Sequence, residues 1–516
     1  MPNKPNIIII MTDQQQTKMC KREGFEANTM PFIDSLAKEG VWFEKAYTTC
    51  PLCSPARVSM LTGRYGSAHH IMHNPRPQHD ADFPDPWIVN EYDVIYEKDI
   101  LDVARSKGYT TALVGKNHAH PDNKKFDYVC SFHHAGGFHE GKTEEEIEFD
   151  DWIRTLPQGI CMEPTPFAPK QQIPYRVVTK AMDWIENHRE NPFLLWLSFP
   201  EPHNPYQVPE PYFSMFDGDG YVEPDANVDY LENKNYKWKV MYDIFSCAFS
   251  KDFNDLAQVV KRARSNYMGM LRFIDDQIKR FVNYLKGLDI FDNTIIVFLS
   301  DHGDFAGEFG FLRKGVELSE LLTRIPLIFI GPGILRGKKM SDMHVSIADI
   351  MPTLCEALEA DIPDSVQGKS LWPMLTGQQY PKEDFQSAYC ELGNGGNFYS
   401  KNDVEERKEH FYKKKYQELN TFAMTGLMRM VRKGEWKLVY DMKGHGEMYH
   451  LTKDPNEIHN LYNDPQYAAK KTELIEELLK WCINVQDPMV IREDGYQIKQ
   501  PRLIDKHHFW FGKDYK

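Results

Sequence analysis

Asn6-Ile7-Ile8-Ile9-Ile10-Met11-Thr12-Asp13-Gln14 decides the architecture of this chain. Residues 6–11 are dominated by a continuous isoleucine run rather than by polar alternation. That pattern predicts a strand buried on both faces of a parallel sheet. Asp13 and Gln14 then fall at its C-terminal edge, where open α/β sheets gather their ligands.

The same grammar repeats downstream. Residues 32–39 predict a short helix and 41–47 a strand. Residues 54–61 fit the opening turns of a helix, with Pro55 near its start, where a missing amide hydrogen is tolerated. Cys53 would lie where free backbone donors can stabilise an anion. A helix over 101–107 stops at Gly108, and a strand over 110–114 leads to Lys116 and His118. A helix over 177–188 precedes an apolar strand over 193–199, followed by Glu201, Pro202 and His203. A long amphipathic helix over 267–285 precedes a buried strand over 294–299 that ends in Ser300-Asp301-His302-Gly303, and residues 327–330 give one more short strand. A single polar cluster after a strand is what any turn supplies. Several complementary ones point to a shared site. The expected fold class is α/β, a mostly parallel sheet flanked by helices.

Organisation changes after Leu371-Trp372-Pro373. Residues 384–428 read as irregular and polar, with a charged run over 402–415. Residues 428–431 and 436–440 predict two strands around the turn Arg432-Lys433-Gly434-Glu435, 447–450 adds a third, and 474–479 lies in a closing helix. The expected division is a catalytic domain over 1–375 and a smaller C-terminal α+β domain over 376–516. The aromatic cluster His507-His508-Phe509-Trp510-Phe511 predicts a tail docked on the main body.

At 516 residues, 41% hydrophobic and 26% charged, the chain has the composition of a multidomain globular protein. A net charge of −14 weighs against a nucleic-acid partner, because phosphate binding needs a basic face. The first apolar run is too short to span a membrane and lacks a signal-peptide pattern, so no membrane partner and a cytoplasmic location are expected. Nine cysteines are an odd, scattered set that gives no disulfide scaffold.

One stretch carries more chemistry than the others: Thr49-Cys50-Pro51-Leu52-Cys53-Ser54-Pro55-Ala56-Arg57, followed by Ser59-Met60-Leu61-Thr62-Gly63-Arg64. Cys50 and Cys53 have the spacing of a redox pair. A redox pair, however, does not require the longer pattern around it.

That longer pattern resembles the sulfatase signature Cys-x-Pro-x-Arg, and with its companions the chain is similar to the sulfatase branch of the alkaline-phosphatase-like superfamily. The companions are Asn6 to Asp13, Leu61-Thr-Gly-Arg64, Val114-Gly-Lys-Asn-His118, Ser300-Asp-His-Gly303 with Lys314, Val431 to Tyr440, and Glu447 to Glu457. The resemblance implies that Cys53 is oxidised to formylglycine by a formylglycine-generating maturation enzyme. It also implies that Asp13, Gln14, Asp301 and His302, with the modified residue 53, hold one divalent metal. Many relatives have Asp at Gln14 and Asn at His302. Oxygen donors suit Ca²⁺ or Mg²⁺ and an imidazole admits Mn²⁺ or Zn²⁺; the family match favours Ca²⁺.

The implied chemistry is attack on sulfur by a hydroxyl of the hydrated aldehyde, loss of the alcohol, and elimination of sulfate as the aldehyde re-forms. His118 is the expected base for elimination. His203 and Lys314 face the sulfate and leaving oxygen, Lys116 holds a sulfate oxygen, and Arg57 orients the modified side chain with its rigid donor fork. Arg64 is expected to be structural. The implied substrate is a small sulfate ester, most simply a sulfated saccharide. His69, His70, His79 and residues 384–415 are expected around the entrance. Two rivals remain: a phosphonate monoester or phosphodiester hydrolase, which Gln14 and His302 recommend, and a noncatalytic glycan- or anion-binding homologue.

Overall fold

The computed structural model describes residues 4–74, 98–119, 125–315, 317–393 and 426–486. Nine strands form the main sheet: β1 (Asn6–Asp13), β2 (Val41–Tyr47), β3 (Thr110–Gly115), β4 (Tyr128–His133), β5 (Gly136–Gly137), β6 (Phe193–Pro202), β7 (Thr294–Ser300), β8 (Leu327–Ile330) and β9 (Lys338–Ser346). Their spatial order is β5-β4-β3-β6-β1-β7-β8-β2-β9. Strands β4, β3, β6, β1 and β7 run parallel, β8 is antiparallel to both of its neighbours, and β2 pairs parallel with β9.

The isoleucine run has its explanation in this order. β1 sits between β6 and β7, with Ile8 beside Leu195 and Ile296, and every one of its residues is buried. Ile7, Ile9 and Met11 enter one core with Trp196, Val297, Met60 and Leu354, whereas Ile8 and Ile10 enter another with Leu197, Phe298, Val177 and Ile274. The first core is roofed by the helices Cys53–Thr62, Ile100–Ser106 and Ile350–Ala357, and the second by Ile173–Glu186 and Leu256–Gly287. A sheet covered on both sides has no face for polar alternation. Truncating a central member such as Ile9 to Ala removes both burial and packing, a cost of about 2–5 kcal/mol.

A second, antiparallel sheet contains β10 (Ser387–Leu392), β11 (Met428–Lys433), β12 (Trp436–Asp441) and β13 (Gly446–His450). One face packs on the helix Ala468–Gln486 through Val431, Leu438, Met448, Leu474 and Leu478. The other brings Cys390, Leu392, Met428 and Met430 onto Cys50 and Leu52, immediately before Cys53. The backbone of Glu391 also donates to Thr49 O at 2.8 Å. The smaller sheet therefore buttresses the segment that leads into the central helix.

Several elements differ from expectation. Residues 384–428 contain the buried strand β10 instead of being irregular throughout. Its Glu391 gives a polar signature but accepts from Ser67 N at 2.7 Å and pairs with Arg429 at 3.5 Å. The 267–285 helix begins at Leu256 and spans 32 residues. β4 and β9 were not expected from the sequence. β9 is an edge strand whose exposed half, Lys338 to Met343, is charged and irregular in pattern. The expected tail cluster, His79 and residues 394–415 lie outside the described residues. Among the described residues, no helix is long and apolar enough to cross a membrane.

Candidate active site and metal centre

Four C-terminal strand ends converge. Asp13 closes β1 and Gln14 follows it; Lys116 follows β3; His203 follows β6; Asp301 and His302 follow β7. Cys53 enters from the side as the first residue of the helix Cys53–Thr62, all ten residues of which are buried. Gly115 makes one of these approaches possible. Its φ is +120°, and a Cβ there would lie 1.8 Å from Ser198 O, so the chain turns toward Lys116 directly against β6. Gln14, His118 and Arg313 adopt positive φ despite carrying side chains, at 68°, 53° and 67°. Three such residues beside one site mark backbone held against its local preference.

Asp13, Cys53, Asp301 and His302 each offer a donor atom, and these atoms lie within 4.8 Å of one another. Cys53 Sγ is 3.3 Å from His302 Nε2 and 3.7 Å from Asp13 Oδ1. Gln14 joins them through its amide. Its Nε2 donates to Asp304 Oδ2 at 2.6 Å, which orients Oε1 toward Lys314 Nζ at 2.8 Å, and the same Nζ is 3.5 Å from Cys53 Sγ. Two carboxylates, an amide oxygen and an imidazole nitrogen form a donor set that fits a divalent cation. His302 Nδ1 lies 3.0 Å from Gly303 O, leaving Nε2 turned to the cluster.

Arg57 organises the acids. Its Nε donates to Asp301 Oδ2 at 2.9 Å, Nη2 to Asp13 Oδ2 at 3.0 Å, and Nη1 to Ser198 Oγ at 2.8 Å and Lys116 O at 3.0 Å. The guanidinium has no exposed surface, so its fork geometry is fixed on both carboxylates. Lys116 also donates to Asp13 Oδ2.

These contacts set the protonation states. Burial pushes the Asp13 carboxyl up, but Lys116 and Arg57 outweigh it and hold the group well below the usual carboxylate range. Asp301 is pushed up, by burial and by the charge of Asp13. Burial opposes charge on His302, yet Asp301 beside it raises its pKa. Burial and Asp13 also oppose ionisation of Cys53, but Lys116, Lys314 and His302 prevail and lower its pKa well below that of a thiol. Cys50, three residues away, goes the other way: burial and Glu391 push it up. Both cysteines are free thiols. The pair is therefore divided electrostatically, with one sulfur in a cationic pocket and the other in an apolar core.

His118 completes the near side. Its Nδ1 is buried without a hydrogen-bond partner among the described residues, and burial and Lys116 lower its pKa. His203 enters through a neighbour that the sequence reading missed, His134: the two rings stack with centroids 3.7 Å apart. His134 Nε2 is also 3.0 Å from Lys116 Nζ. All ten singled-out residues, Asp13, Gln14, Cys53, Arg57, Lys116, His118, His203, Asp301, His302 and Lys314, thus belong to one connected constellation.

Ser198 and Asp304 were missed as well. Ser198 is the one polar residue inside the apolar 193–199 run, which was a readable signal, and it receives Arg57. Asp304 lies three residues beyond Asp301 and fixes both Gln14 and the Tyr206 hydroxyl, the latter at 2.7 Å. His69 is not an entrance residue: it is buried and its Nε2 is 3.0 Å from Ser59 Oγ. Arg64 is buried and donates to Ala68 O at 3.2 Å, a structural contact.

Residues 5–360 match the family model described as Sulfatase, and residues 394–484 match one described as N-sulphoglucosamine sulphohydrolase, C-terminal. The chain is similar to an arylsulfatase of Clostridium perfringens, at 29% identity over 96% of each chain. It is also similar to an N-acetylglucosamine-6-O-sulfatase of Bacteroides thetaiotaomicron, at 24% identity over 92% of this chain and 86% of that one. The fold matches a phosphonate monoester hydrolase from Silicibacter pomeroyi with a TM-score of 0.76 at 20% identity, covering 94% and 96% of the two chains.

Proposed function

We propose, for a chain that belongs to the sulfatase family, that the buried centre around residue 53 hydrolyses the sulfate ester of a small sulfated carbohydrate. The observation that carries this reading is the convergence of Asp13, Cys53, Asp301 and His302 within 4.8 Å beneath two lysines. An anionic ester needs fixed positive charge where negative charge grows, and buried Lys116 and Lys314 supply it without reorganising. The likeness to an N-acetylglucosamine-6-O-sulfatase supports a saccharide as the alcohol component.

Asp13, Gln14, Asp301 and His302 would hold the cation, which supplies Lewis acidity at residue 53; the family resemblance favours Ca²⁺. Position 53 carries the encoded cysteine, whose Sγ stands in for the oxygens of the hydrated aldehyde that formylglycine supplies after action of a maturation enzyme. The other roles fall to this chain's own side chains. Arg57 locks both carboxylates and keeps them from rotating toward solvent. Lys116 and Lys314 bind the anionic head. His118, whose Nδ1 has no hydrogen-bond partner among the described residues, takes the proton whose removal expels sulfate, and His203 with Lys314 serves the leaving oxygen. A cytoplasmic setting suits a small ester better than a polymer.

The pairing of Gln14 with His302 supports a second reading, in which a phosphonate monoester or phosphate diester is the better substrate. Protein co-expressed with a formylglycine-generating enzyme, assayed on defined sulfated mono- and disaccharides, an aryl sulfate, a phosphate diester and a phosphonate monoester, separates the two. The sulfatase reading expects the largest kcat/KM on a sulfate, loss on chelation, and the aldehyde in the residue 53 peptide by mass analysis. A larger kcat/KM on a phosphorus ester would reverse the assignment.

A further inference from the structure

The β4–β5 hairpin places a histidine beside the site that no local motif marks. His134 follows β4 and touches two of the groups read above as facing the substrate anion. Its partners fix its proton. Nδ1 lies 3.2 Å from Pro200 O, an atom that can only accept, so Nδ1 carries the hydrogen. Nε2 lies 3.0 Å from Lys116 Nζ, a group that can only donate, so Nε2 is an acceptor. The ring is neutral in a single tautomer. Burial and Lys116 agree with this, holding its pKa well below that of an ordinary histidine.

We propose that His134 is a positioning residue for anion recognition, its neutral imidazole aiming the Lys116 ammonium with one nitrogen and bracing the His203 ring with its face. The proposal rests on the reading of Lys116 and His203 as substrate-facing groups. The donor count of Lys116 gives it force. An ammonium has three hydrogens; among the described residues Asp13 Oδ2 takes one and His134 Nε2 takes another, leaving one in a set direction for a substrate oxygen. Without His134, Lys116 would be tethered on one side only. His203 is held in the same way: its Nδ1 lies 2.7 Å from Asn204 O and its ring lies nearly parallel to His134, at 14°.

Because the ester already carries its anionic charge when Lys116 grips it, losing the lysine's alignment should weaken ground-state binding and raise KM more than it lowers kcat. The matured full-length enzyme is assayed on whichever ester it turns over best, and inorganic sulfate is titrated calorimetrically into the same protein. His134→Phe keeps a stacked ring but removes the acceptor; we expect KM and the sulfate dissociation constant to rise about tenfold or more, with kcat within about threefold. His134→Gln, which can accept from Lys116 and donate to Pro200 O, should recover most of that loss. His134→Ala should lose both functions and also lower kcat. Thermal melts identify any variant that merely unfolds, and the Gln variant keeps the test open if the other two do. KM and sulfate affinity unchanged in the Phe variant would overturn the proposal. So would a Gln variant as impaired as Ala at equal thermal stability. A wild-type enzyme that prefers a phosphorus ester would overturn the substrate reading above while leaving this comparison intact.

Discussion

Two regions of the molecule bury clusters of charge, and they do so to opposite ends. At the junction of the two sheets, Lys437 pairs with Glu457 at 2.6 Å and Glu320 at 3.4 Å. Glu457 in turn accepts from Ser319 Oγ at 2.6 Å and Glu320 N at 2.8 Å. Lys237 pairs with Asp441 at 2.7 Å, and Lys234 lies over the rings of Trp238 and Tyr449, 4.5 and 4.7 Å from their centroids. This cluster balances its own charge: its cations lie against acids, hydroxyls and aromatic faces that tie one sheet to the other. The cluster around Cys53 uses the same residue types but stays chemically open. Among the described residues Lys116 keeps a hydrogen and His118 keeps a nitrogen, and residue 53 stands among cations that favour its anion. Buried charge by itself is therefore a poor marker of function here. Cations gathered around a group that can become a nucleophile are the better marker.

The contrast can be broken most sharply at residue 53. Cys53→Ala should lower kcat of the matured enzyme by about 10⁴-fold or more while leaving the melting temperature close to the parent's, because the site and not the fold loses a member. Measurable turnover at the parental rate would end the claim that this cluster is the reactive one. On the other side, Lys437→Met leaves buried Glu457 and half-buried Glu320 without this cation. It should cost about 3–5 kcal/mol in urea denaturation, with kcat/KM of the folded fraction unchanged. A change in kcat/KM without loss of stability would show that the junction is not merely structural.

Arg57→Lys should fall between the two. Lysine keeps the charge but loses the fork that spans Asp13, Asp301 and Ser198, so kcat/KM should drop about 10–100-fold with a modest loss of stability. The smallest effect is expected at Glu317. Burial among Glu447 and Asp441, against Lys237 and Lys234, pushes its carboxyl up to about 8. A raised folded-state pKa means that its contribution is fully present below the ordinary value of 4.5 and is lost as pH rises through about 8. Glu317→Gln should match the parent at pH 4.5 and melt about 2 °C higher at pH 9, a gap that calorimetric scans across pH would read.

Sequence was most legible where one physical demand dominated. β1, β6 and β7 are covered on both faces, so apolar continuity revealed them, and the ligands at their C-terminal ends followed. β9 and β10 obey mixed demands. β9 sits at a sheet edge where Lys338 and Lys339 meet water, and β10 carries the inward carboxylate of Glu391 that serves Ser67 and Arg429. Neither gives a clean period. His134 was illegible for another reason. Its role arises from Pro200, Lys116 and His203, which reach it from two other strands, and no local spacing encodes that meeting.

The placement of the smaller sheet has a consequence for the order of events in the life of the chain. Cys53 is 1% exposed, its helix is wholly buried, and the strands β10 and β11 press on Cys50 and Leu52 just upstream. A catalyst large enough to be a protein could not reach that sulfur once these layers have closed. Any enzymatic alteration of residue 53 must therefore come early, while residues C-terminal to it are still being synthesised or have yet to dock. Assembly of the last strands acts as a deadline after which the chemical identity of position 53 is settled.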